Sequence, residues 1–217
     1  MNLPNYIEHT VLKPTVTDKE IDQLVKEARD HEFYGVCVPP FWVKRAKREI
    51  GSSDVKLVTV AGFPLGYQMT EVKLEELKIS IVNGADELDV VMNISAFKIN
   101  MDWFKIDLAK CARLCHDNGK LIKIIIETAY LTKEEIVRAC KIAADAGADF
   151  VKTSTGFAGH GATSENVKLM RDTVGASVGV KASGGIKTYE HAIAMINAGA
   201  DRIGTSSGVE MVRGIKN

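Results

Sequence analysis

The tripeptide Gly-Ala-Asp occurs three times in the chain, and this repeat constrains the fold more than any other feature. The copies begin at Gly84, Gly147 and Gly199, and each follows a helical pattern and precedes a short apolar run. Glycine closes a helix in the left-handed region that other residues enter at a cost, and a β-prone run after it predicts a strand. We therefore interpret each copy as the junction between a helix and the next strand.

The repeat and the segments around it predict eight strands that alternate with helices. Each interval between two copies contains a further strand candidate, at residues 121–127 and 178–182, so each interval holds two βα units. Three more candidates precede the first copy, at residues 6–12, 35–38 and 56–61. Together with the three strands that follow the repeat copies, these candidates make eight.

Eight such units predict a closed (β/α)8 barrel of the TIM type. Thr17 with Glu20 and Thr132 with Glu135 fit the capping box that begins a helix. Strands alternating with helices form a parallel sheet, and 217 residues suffice for one compact barrel domain over residues 1–217. The alternative is an open doubly wound sheet, which the absence of a G-x-G-x-x-G motif after the first strand disfavours.

The repeat also aligns side chains, and one aligned set is unusual. Two residues after the repeat aspartate the side chain is always apolar, whereas three residues after it stand Asp89, Lys152 and Gly204. Since successive side chains of a strand alternate faces, this second set is expected to point into the barrel. Burial of a charged group is costly, so charged side chains in a closed interior are paired or have a function. The sequence therefore predicts a polar layer, in which Gly204 leaves space.

Lys181 joins this layer, because the same alternation turns Val180 outward and Lys181 inward beside Lys152. A second ammonium group and desolvation both disfavour the charged form of a lysine, and a neutral amine forms a Schiff base with a carbonyl. The alternatives are a buried ion pair with a spare lysine, or lysines that extend into solvent at the strand ends. We favour a catalytic group of Lys152, Asp89 and Lys181, because three polar groups converge.

The loops after the last three strands form a candidate phosphate site. Glycines let backbone amides approach an anion, hydroxyls donate further hydrogen bonds, and a short helix starting at Ser206 would direct its positive end there. Barrels often bind phosphate at this place, although each loop alone is ordinary turn chemistry. The candidate residues for substrate and phosphate binding are Thr155, Gly156, Gly184, Gly185, Gly204, Ser206 and Ser207, and Thr153 is a candidate for the pocket lining.

Composition argues against several other classes of protein. The 28 basic and 28 acidic residues balance, so no nucleic-acid or membrane partner is expected. The first residues lack a targeting pattern, and we expect a cytoplasmic protein with reduced cysteines. Cys111 and Cys115, beside His116, are the one candidate for soft metal ligands, but free cysteine usually packs as a small hydrophobe and we expect no metal.

The chain resembles the deoxyribose-phosphate aldolases, which are class I aldolases with the (β/α)8 fold. The resemblance covers nearly the whole length, and its most specific segments are FVKTSTGF at residues 150–157 and VKASGGI at residues 180–186. Further matching segments are IEHTVLKP, GVCVPP, GADELDVVMN, IIIET and IGTSSG.

This resemblance implies reversible cleavage of 2-deoxy-D-ribose 5-phosphate to D-glyceraldehyde 3-phosphate and acetaldehyde, with no cofactor and no metal. It implies that Lys152 is the Schiff-base lysine and that Asp89 and Lys181 are its acid–base partners. It also assigns phosphate binding to the glycine and serine loops and places Cys37 near the substrate pocket. A homo-oligomer, specifically a dimer, is expected on the same ground.

Two departures from the family pattern affect these expectations. Glu8 stands where many members carry aspartate, and we expect it to keep a polar contact. Some members use a C-terminal tyrosine in proton transfer, whereas this sequence ends in Ile215, Lys216 and Asn217. The comparison of the proton relay with that of these members therefore stays open at this point.

Two other functions stay open from the residues alone. One is another lysine-dependent barrel aldolase of phosphorylated sugars or keto acids, with a donor such as pyruvate or dihydroxyacetone. The other is a non-catalytic barrel that binds phosphosugars, in which Lys152 is only an anion contact.

Overall fold

Eight parallel strands form a closed barrel in the computed structural model, which describes residues 2–101 and 103–214. Each strand pairs with the next, and the last pairs with the first, so the predicted TIM-type barrel is confirmed. The strands are β1 (Ile7–Thr10), β2 (Gly35–Val38), β3 (Lys56–Ala61), β4 (Glu87–Val91), β5 (Leu121–Ile125), β6 (Phe150–Lys152), β7 (Gly179–Ser183) and β8 (Arg202–Thr205).

Helices pack around the barrel and shield the outward, apolar side chains of the strands. They are α1 (Asp18–Asp30), α2 (Val43–Ile50), α3 (Thr70–Val82), α4 (Ile94–Lys98), α5 (Trp103–Asp117), α6 (Lys133–Asp145), α7 (Ser164–Val174), α8 (Tyr189–Asn197) and α9 (Gly208–Arg213). Within residues 2–101 and 103–214, no helix is long and apolar enough to cross a membrane. The final residues 215–217, where the sequence lacks the family's C-terminal tyrosine, lie outside the described residues.

The boundaries of three strands differ from the sequence prediction by one or two residues. The segments predicted at residues 6–12, 121–127 and 178–182 are strands at Ile7–Thr10, Leu121–Ile125 and Gly179–Ser183. β5 ends early because Glu127 has a φ of 50° and leaves the extended conformation. Both predicted capping boxes are confirmed, since the backbone N–H groups of Thr17 and Thr132 each donate to the expected glutamate at 2.8 Å.

The glycine of each Gly-Ala-Asp copy ends a helix in the left-handed region, with φ between 95° and 110°. In the first copy, the Ala85 N–H donates to the Ser80 carbonyl and the Gly84 N–H to the Ile81 carbonyl, both at 3.0 Å. This pattern is the Schellman motif, which satisfies two carbonyls at a helix end. The other two copies repeat it with Gly147 and Gly199.

The aspartate of each copy fastens an even-numbered strand to the strand before it. Asp86 Oδ2 accepts from the Leu57 N–H at 3.0 Å, and the Asp86 N–H donates to the Leu57 carbonyl at 2.8 Å. The same pair of hydrogen bonds joins Asp149 to Ile122 and Asp201 to Val180. Each copy of the repeat therefore forms the connection between a helix and a strand: its glycine ends the helix, and its aspartate sets the register of the strand.

That register places the inward side chains in layers. Lys152 pairs with Lys181, Lys181 pairs with Arg202, and Gly204 stands two residues after Arg202. On each even-numbered strand, the inward side chain stands two residues after the residue that pairs with the inward side chain of the strand before it. Four such shifts around the barrel add up to a stagger of eight residues, which is typical of this fold. The even layer is Cys37, Asp89, Lys152 and Gly204, and the odd layer beside it is Glu8, Val58, Lys123 and Lys181.

Candidate active site

Asp89 is the centre of the buried polar network inside the barrel. Lys152 Nζ and Lys181 Nζ each lie 2.7 Å from Asp89 Oδ2, and Lys123 Nζ lies 3.0 Å from Asp89 Oδ1. The predicted convergence of Lys152, Asp89 and Lys181 is thus present in the structure. Lys181 belongs to the odd layer, adjacent to the one predicted, because β7 is an odd-numbered strand.

Two further carboxylates complete this network. Glu8 forms an ion pair with Lys181 and lies 3.4 Å from Lys123 Nζ, while Glu87 lies 2.5 Å from Lys123 Nζ. The expected polar contact of Glu8 is therefore an ion pair. The sequence predicted two lysines and one aspartate, whereas the network contains three of each charge. Lys123 was missed because no repeat copy precedes β5, although alternation along that strand would have turned it inward.

The network lowers the pKa of its aspartate and raises the pKa values of two of its lysines. Burial alone would raise the pKa of Asp89, but the surrounding ammonium groups outweigh burial and hold this pKa well below its usual range. Burial alone would lower the pKa of Lys123 and Lys181, yet Asp89 and Glu8 raise both above the usual range. Asp89 therefore stays ionised and Lys123 and Lys181 stay charged, so their ion pairs persist at neutral pH.

Lys152 differs from the other two lysines in its partners and its access. Lys181 and Lys123 contact two and three carboxylates respectively, whereas Lys152 contacts Asp89 alone and shares it with both. Of the six charged groups, Lys152 is the one that lines the adjoining cavity. Its charge is the least compensated, and its amine is the one a ligand can reach.

The cavity above Lys152 has a volume of about 370 Å³ and extends to the loops after β6, β7 and β8. Gly156, Gly184 and Gly185 have φ of 88°, 84° and 75°, a region that favours glycine. A Cβ added at Gly156 or Gly185 would have no atom within 4 Å, so these backbones border open space. The predicted phosphate-site residues on the cavity wall are Thr155, Gly156, Gly184, Gly185, Gly204 and Ser206.

Gly204 has a second reason to lack a side chain. A Cβ there would lie 3.2 Å from Lys181 Cε and 3.0 Å from Ser183 Cβ. The glycine therefore gives room to the Lys181 side chain on its way to Asp89, in addition to bordering the cavity. From the sequence, only open space in the layer was predicted at this position.

Three of the residues predicted to line the pocket or to bind phosphate are absent from the cavity wall. Cys37 lies in the even layer but is fully buried, and this burial raises the pKa of its thiol to about 11. Thr153 faces away from the barrel axis because it follows the inward Lys152, and its hydroxyl donates to the Ser183 carbonyl at 3.1 Å. Ser207 is the residue before α9, which begins at Gly208 instead of Ser206.

Thr155 lines the cavity, but both of its hydrogen-bond donors are already engaged. Its N–H donates to Glu127 Oε2 at 3.1 Å, and its hydroxyl donates to the same oxygen. In this structure the hydroxyl proton is therefore directed to Glu127, and the role of Thr155 in phosphate binding stays a prediction. The hydroxyl oxygen can still accept a hydrogen bond.

Comparison with known proteins identifies the family. The profile of the family described as DeoC/LacD family aldolase matches residues 5–214. The chain belongs to the DeoC/LacD aldolase family. The deoxyribose-phosphate aldolase of Thermococcus gammatolerans is 53% identical over 220 residues, covering 100% of this chain and 98% of that protein.

Solved structures agree with this family membership. A protein described as QR15, an aldolase, has a TM-score of 0.94 at 44% identity, covering 99% of this chain and 96% of its own. A tetrameric deoxyribose phosphate aldolase from Aeropyrum pernix has a TM-score of 0.92 at 33% identity, covering 99% and 91%. The sequence prediction of an aldolase is confirmed, and the roles of individual residues stay predictions.

Sequence reasoning missed one wall of the aldolase cavity. The loop after β1 contributes Lys13 among other residues, and Lys187 and Phe157 line the opposite loops. Lys187 follows the Gly-Gly pair directly, and this position was the signal that could have suggested a cation at the phosphate end. Nothing local in the sequence brings the first loop beside the last three.

The cysteines suggested as metal ligands are core residues. Cys111 and Cys115 are fully buried, and burial raises the pKa of each thiol to about 12. Across the described ranges, no three His, Cys, Asp or Glu side chains cluster in a way that could hold a metal ion.

Proposed function

We propose that this chain is a class I aldolase that reversibly cleaves 2-deoxy-D-ribose 5-phosphate to D-glyceraldehyde 3-phosphate and acetaldehyde through a Schiff base on Lys152. The observation that carries the proposal is the position of Lys152, the one member of a six-charge network on the wall of a cavity lined by glycine loops. Family membership and 53% identity to a deoxyribose-phosphate aldolase support the choice of substrate.

The reaction begins with attack of the neutral Lys152 amine on the aldehyde carbon, C1, of the open-chain sugar. Loss of water from the resulting carbinolamine gives an iminium ion. Removal of the proton from the C3 hydroxyl then breaks the C2–C3 bond, and the bonding electrons move to the iminium to form an enamine. Glyceraldehyde 3-phosphate leaves, a proton adds to C2, and water releases acetaldehyde from the lysine.

Asp89 and Lys181 are the acid–base partners of Lys152 in this proposal, because all three meet at Asp89 Oδ2. When Lys152 loses its proton, Asp89 still accepts from Lys123 and Lys181, so the aspartate does not become an unpaired buried charge. The iminium is the electron sink of the reaction, so the chemistry requires no metal Lewis acid and no organic cofactor.

The phosphate group would occupy the other end of the cavity, beside Gly156, Gly184 and Gly185. Backbone amides of such loops, with the Ser206 hydroxyl, are suitable donors for a dianion. Lys13 and Lys187 lie on the same cavity wall and supply positive charge. This arrangement supports a small phosphorylated sugar as the substrate.

Reductive trapping tests the proposal. Acetaldehyde and borohydride should add an ethyl group to Lys152, detected by the mass of the peptide that contains it. The exposed Lys168 peptide serves as the internal control and should stay unmodified. Turnover without an adduct would contradict the Schiff base on Lys152, and absence of both turnover and adduct would favour the non-catalytic phosphosugar-binding barrel. Turnover with pyruvate or dihydroxyacetone in place of acetaldehyde would favour another lysine-dependent aldolase.

We also propose that the chain forms a homo-oligomer, as the Aeropyrum pernix enzyme forms a tetramer. Large apolar side chains on the surface, such as Phe41 and Val82, are 84% and 85% exposed, and they are candidates for subunit contacts. Light scattering coupled to size exclusion gives the mass of the assembly, and the mass of a single chain would contradict this proposal.

A further inference from the structure

Glu127 holds an unusual backbone conformation at the end of β5. Its φ is 50° and its ψ is 73°, in the left-handed region that residues other than glycine rarely adopt. The Ile126 N–H donates to the Lys152 carbonyl at 3.0 Å and the Thr128 N–H to the Thr153 carbonyl at 2.9 Å. Between these two hydrogen bonds, the chain advances by two residues after β5 but by only one residue after β6. This mismatch is that of a β-bulge, which changes the direction of a side chain.

The redirected carboxylate is buried and holds one residue of the cavity wall. Glu127 is 2% exposed, and Oε2 accepts from both the N–H and the hydroxyl of Thr155. Its other oxygen, Oε1, has no hydrogen-bond partner among the described residues. Strained backbone persists only where its surroundings fix it, and here the fixing contacts lead to the loop beside the cavity.

Thr155 connects the Glu127 carboxylate to the next residues of the loop by a further hydrogen bond. Its hydroxyl oxygen accepts from the Phe157 N–H at 3.1 Å, so the three residues from Thr155 to Phe157 are tied to one carboxylate. Gly156 stands between them with a φ of 88° and no atom within 4 Å of the Cβ it lacks. Glu127 itself is not on the cavity wall. It can therefore influence a ligand by setting the path of this loop or through its charge.

We propose that Glu127 is a positioning residue for the phosphate end of the cavity. By engaging both donors of Thr155 it turns them away from the ligand, and it leaves the backbone of Gly156 as the group that this loop presents to the phosphate. The inference rests on the proposed function, since it assumes that a phosphate binds among these glycine loops.

Positioning and charge predict opposite effects of Glu127→Gln. A negative charge near a phosphate weakens its binding, so removal of the charge alone would tighten binding. The amide oxygen can still accept from Thr155, but these hydrogen bonds lose their charge assistance, which would instead loosen the loop and weaken binding. Because charge-assisted hydrogen bonds of this kind are worth roughly tenfold or more in an equilibrium, we expect weaker binding by about tenfold.

The experiment compares wild type, Glu127→Gln and Glu127→Gly. Steady-state kinetics with 2-deoxyribose 5-phosphate and with unphosphorylated 2-deoxyribose give KM and kcat, and inorganic phosphate gives an inhibition constant. We expect both variants to raise KM for the phosphorylated sugar and the phosphate inhibition constant by about tenfold, with little change for the unphosphorylated sugar. Glycine adopts a positive φ without strain, so Glu127→Gly keeps the bulge while it removes the carboxylate.

Glu135→Gln is the matched control, because Glu135 also accepts from the backbone N–H of a threonine, but in the capping box of α6. It should leave every constant unchanged. Unchanged or tighter phosphate binding in the Glu127 variants would overturn the inference. An equal rise in KM for the phosphorylated and the unphosphorylated sugar would also overturn it. Borohydride trapping of acetaldehyde on wild-type Lys152 separates these outcomes from failure of the proposed aldolase, which would abolish trapping in wild type.

Discussion

Two groups of buried charges in this molecule use the same residue types and differ in how they share them. Between α3 and α5, Lys73 Nζ lies 2.8 Å from Asp107 Oδ2 and 3.1 Å from the Val91 carbonyl, and both side chains are fully buried. Inside the barrel, Lys152 is almost as deeply buried, but its one carboxylate also serves two other lysines. Burial of a lysine is therefore not what distinguishes Lys152, the proposed Schiff-base lysine.

Exclusive pairing and shared pairing have different chemical consequences. Lys73 is the ammonium partner of Asp107, and with the Val91 carbonyl this pair fixes two helices to the end of β4. Asp89 contacts Lys123 and Lys181 as well as Lys152, so it keeps two ammonium partners without Lys152. Lys152 also borders the cavity, which Lys73 does not. The shared partner and the access to the cavity distinguish Lys152 as the proposed nucleophile.

The largest expected effect is on catalysis, from replacement of the proposed nucleophile. Lys152→Met should lower kcat/KM by more than about 10³-fold, since the variant lacks the amine at the end of the cavity that adjoins the charged network. The fold should persist, because Asp89 retains Lys123 and Lys181. Steady-state kinetics and circular dichroism check the two parts. Retention of a tenth of the activity would contradict the role of Lys152.

The exclusive pair should show the opposite pattern, a loss of stability with activity kept. Asp107→Ala leaves Lys73 buried without its carboxylate, which should lower the free energy of unfolding by about 3–5 kcal/mol. The folded fraction should keep kcat/KM within about threefold. Urea titration measures the first quantity and active-site-normalised kinetics the second. Replacing both members, as Lys73→Met with Asp107→Leu, should recover much of the stability, and a further loss would show that the pair does more than anchor helices.

The shared network should control how stability depends on pH. The pKa of Asp89 is lower in the folded state than its unfolded value of about 3.9, so its contribution is present above that pH and declines as the pH falls further. The pKa values of Lys123 and Lys181 are raised, so their contribution is present below about pH 10 and declines above it. Asp89→Asn should flatten the acid limb of the unfolding free energy, and an unchanged limb would contradict this assignment.

The smallest effect is expected from an exposed pair. Lys168 and Asp172 lie one turn apart on α7 with 2.9 Å between Nζ and Oδ2, and both are more than half exposed. Lys168→Ala should change the unfolding free energy by no more than about 0.5 kcal/mol and leave kinetics unaltered. A larger change, seen in the same urea titration, would show that surface pairs matter here as much as buried ones.

Local patterns in the sequence were sufficient for the strands and for half of the network. The repeat located three strand starts and, with alternation, turned Asp89, Lys152 and Lys181 inward. Alternation alone also applies to Lys123, but without a repeat copy no position on β5 was aligned with the others. The order of elements and the inward faces are properties of short segments, which is why they could be predicted.

Contacts that depend on the stagger of the barrel could not be predicted in this way. Glu8 meets Lys123 and Lys181 only because β8 closes on β1, and the loop after β1 reaches the cavity for the same reason. The bond from Glu127 to Thr155 depends on a bulge that changes the direction of one side chain. Such contacts join residues distant in sequence, so their geometry follows from closure of the whole sheet.

The stagger of eight residues also determines which changes of chain length the molecule can tolerate. One extra residue within Phe150–Lys152 would exchange the faces of that strand, turning Lys152 toward the helices and an apolar side chain toward the cavity. The same holds for every strand that contributes to the two layers. Insertions and deletions can therefore accumulate only in loops other than the Gly-Ala-Asp junctions and those that line the cavity, whereas the strands can vary only by substitution.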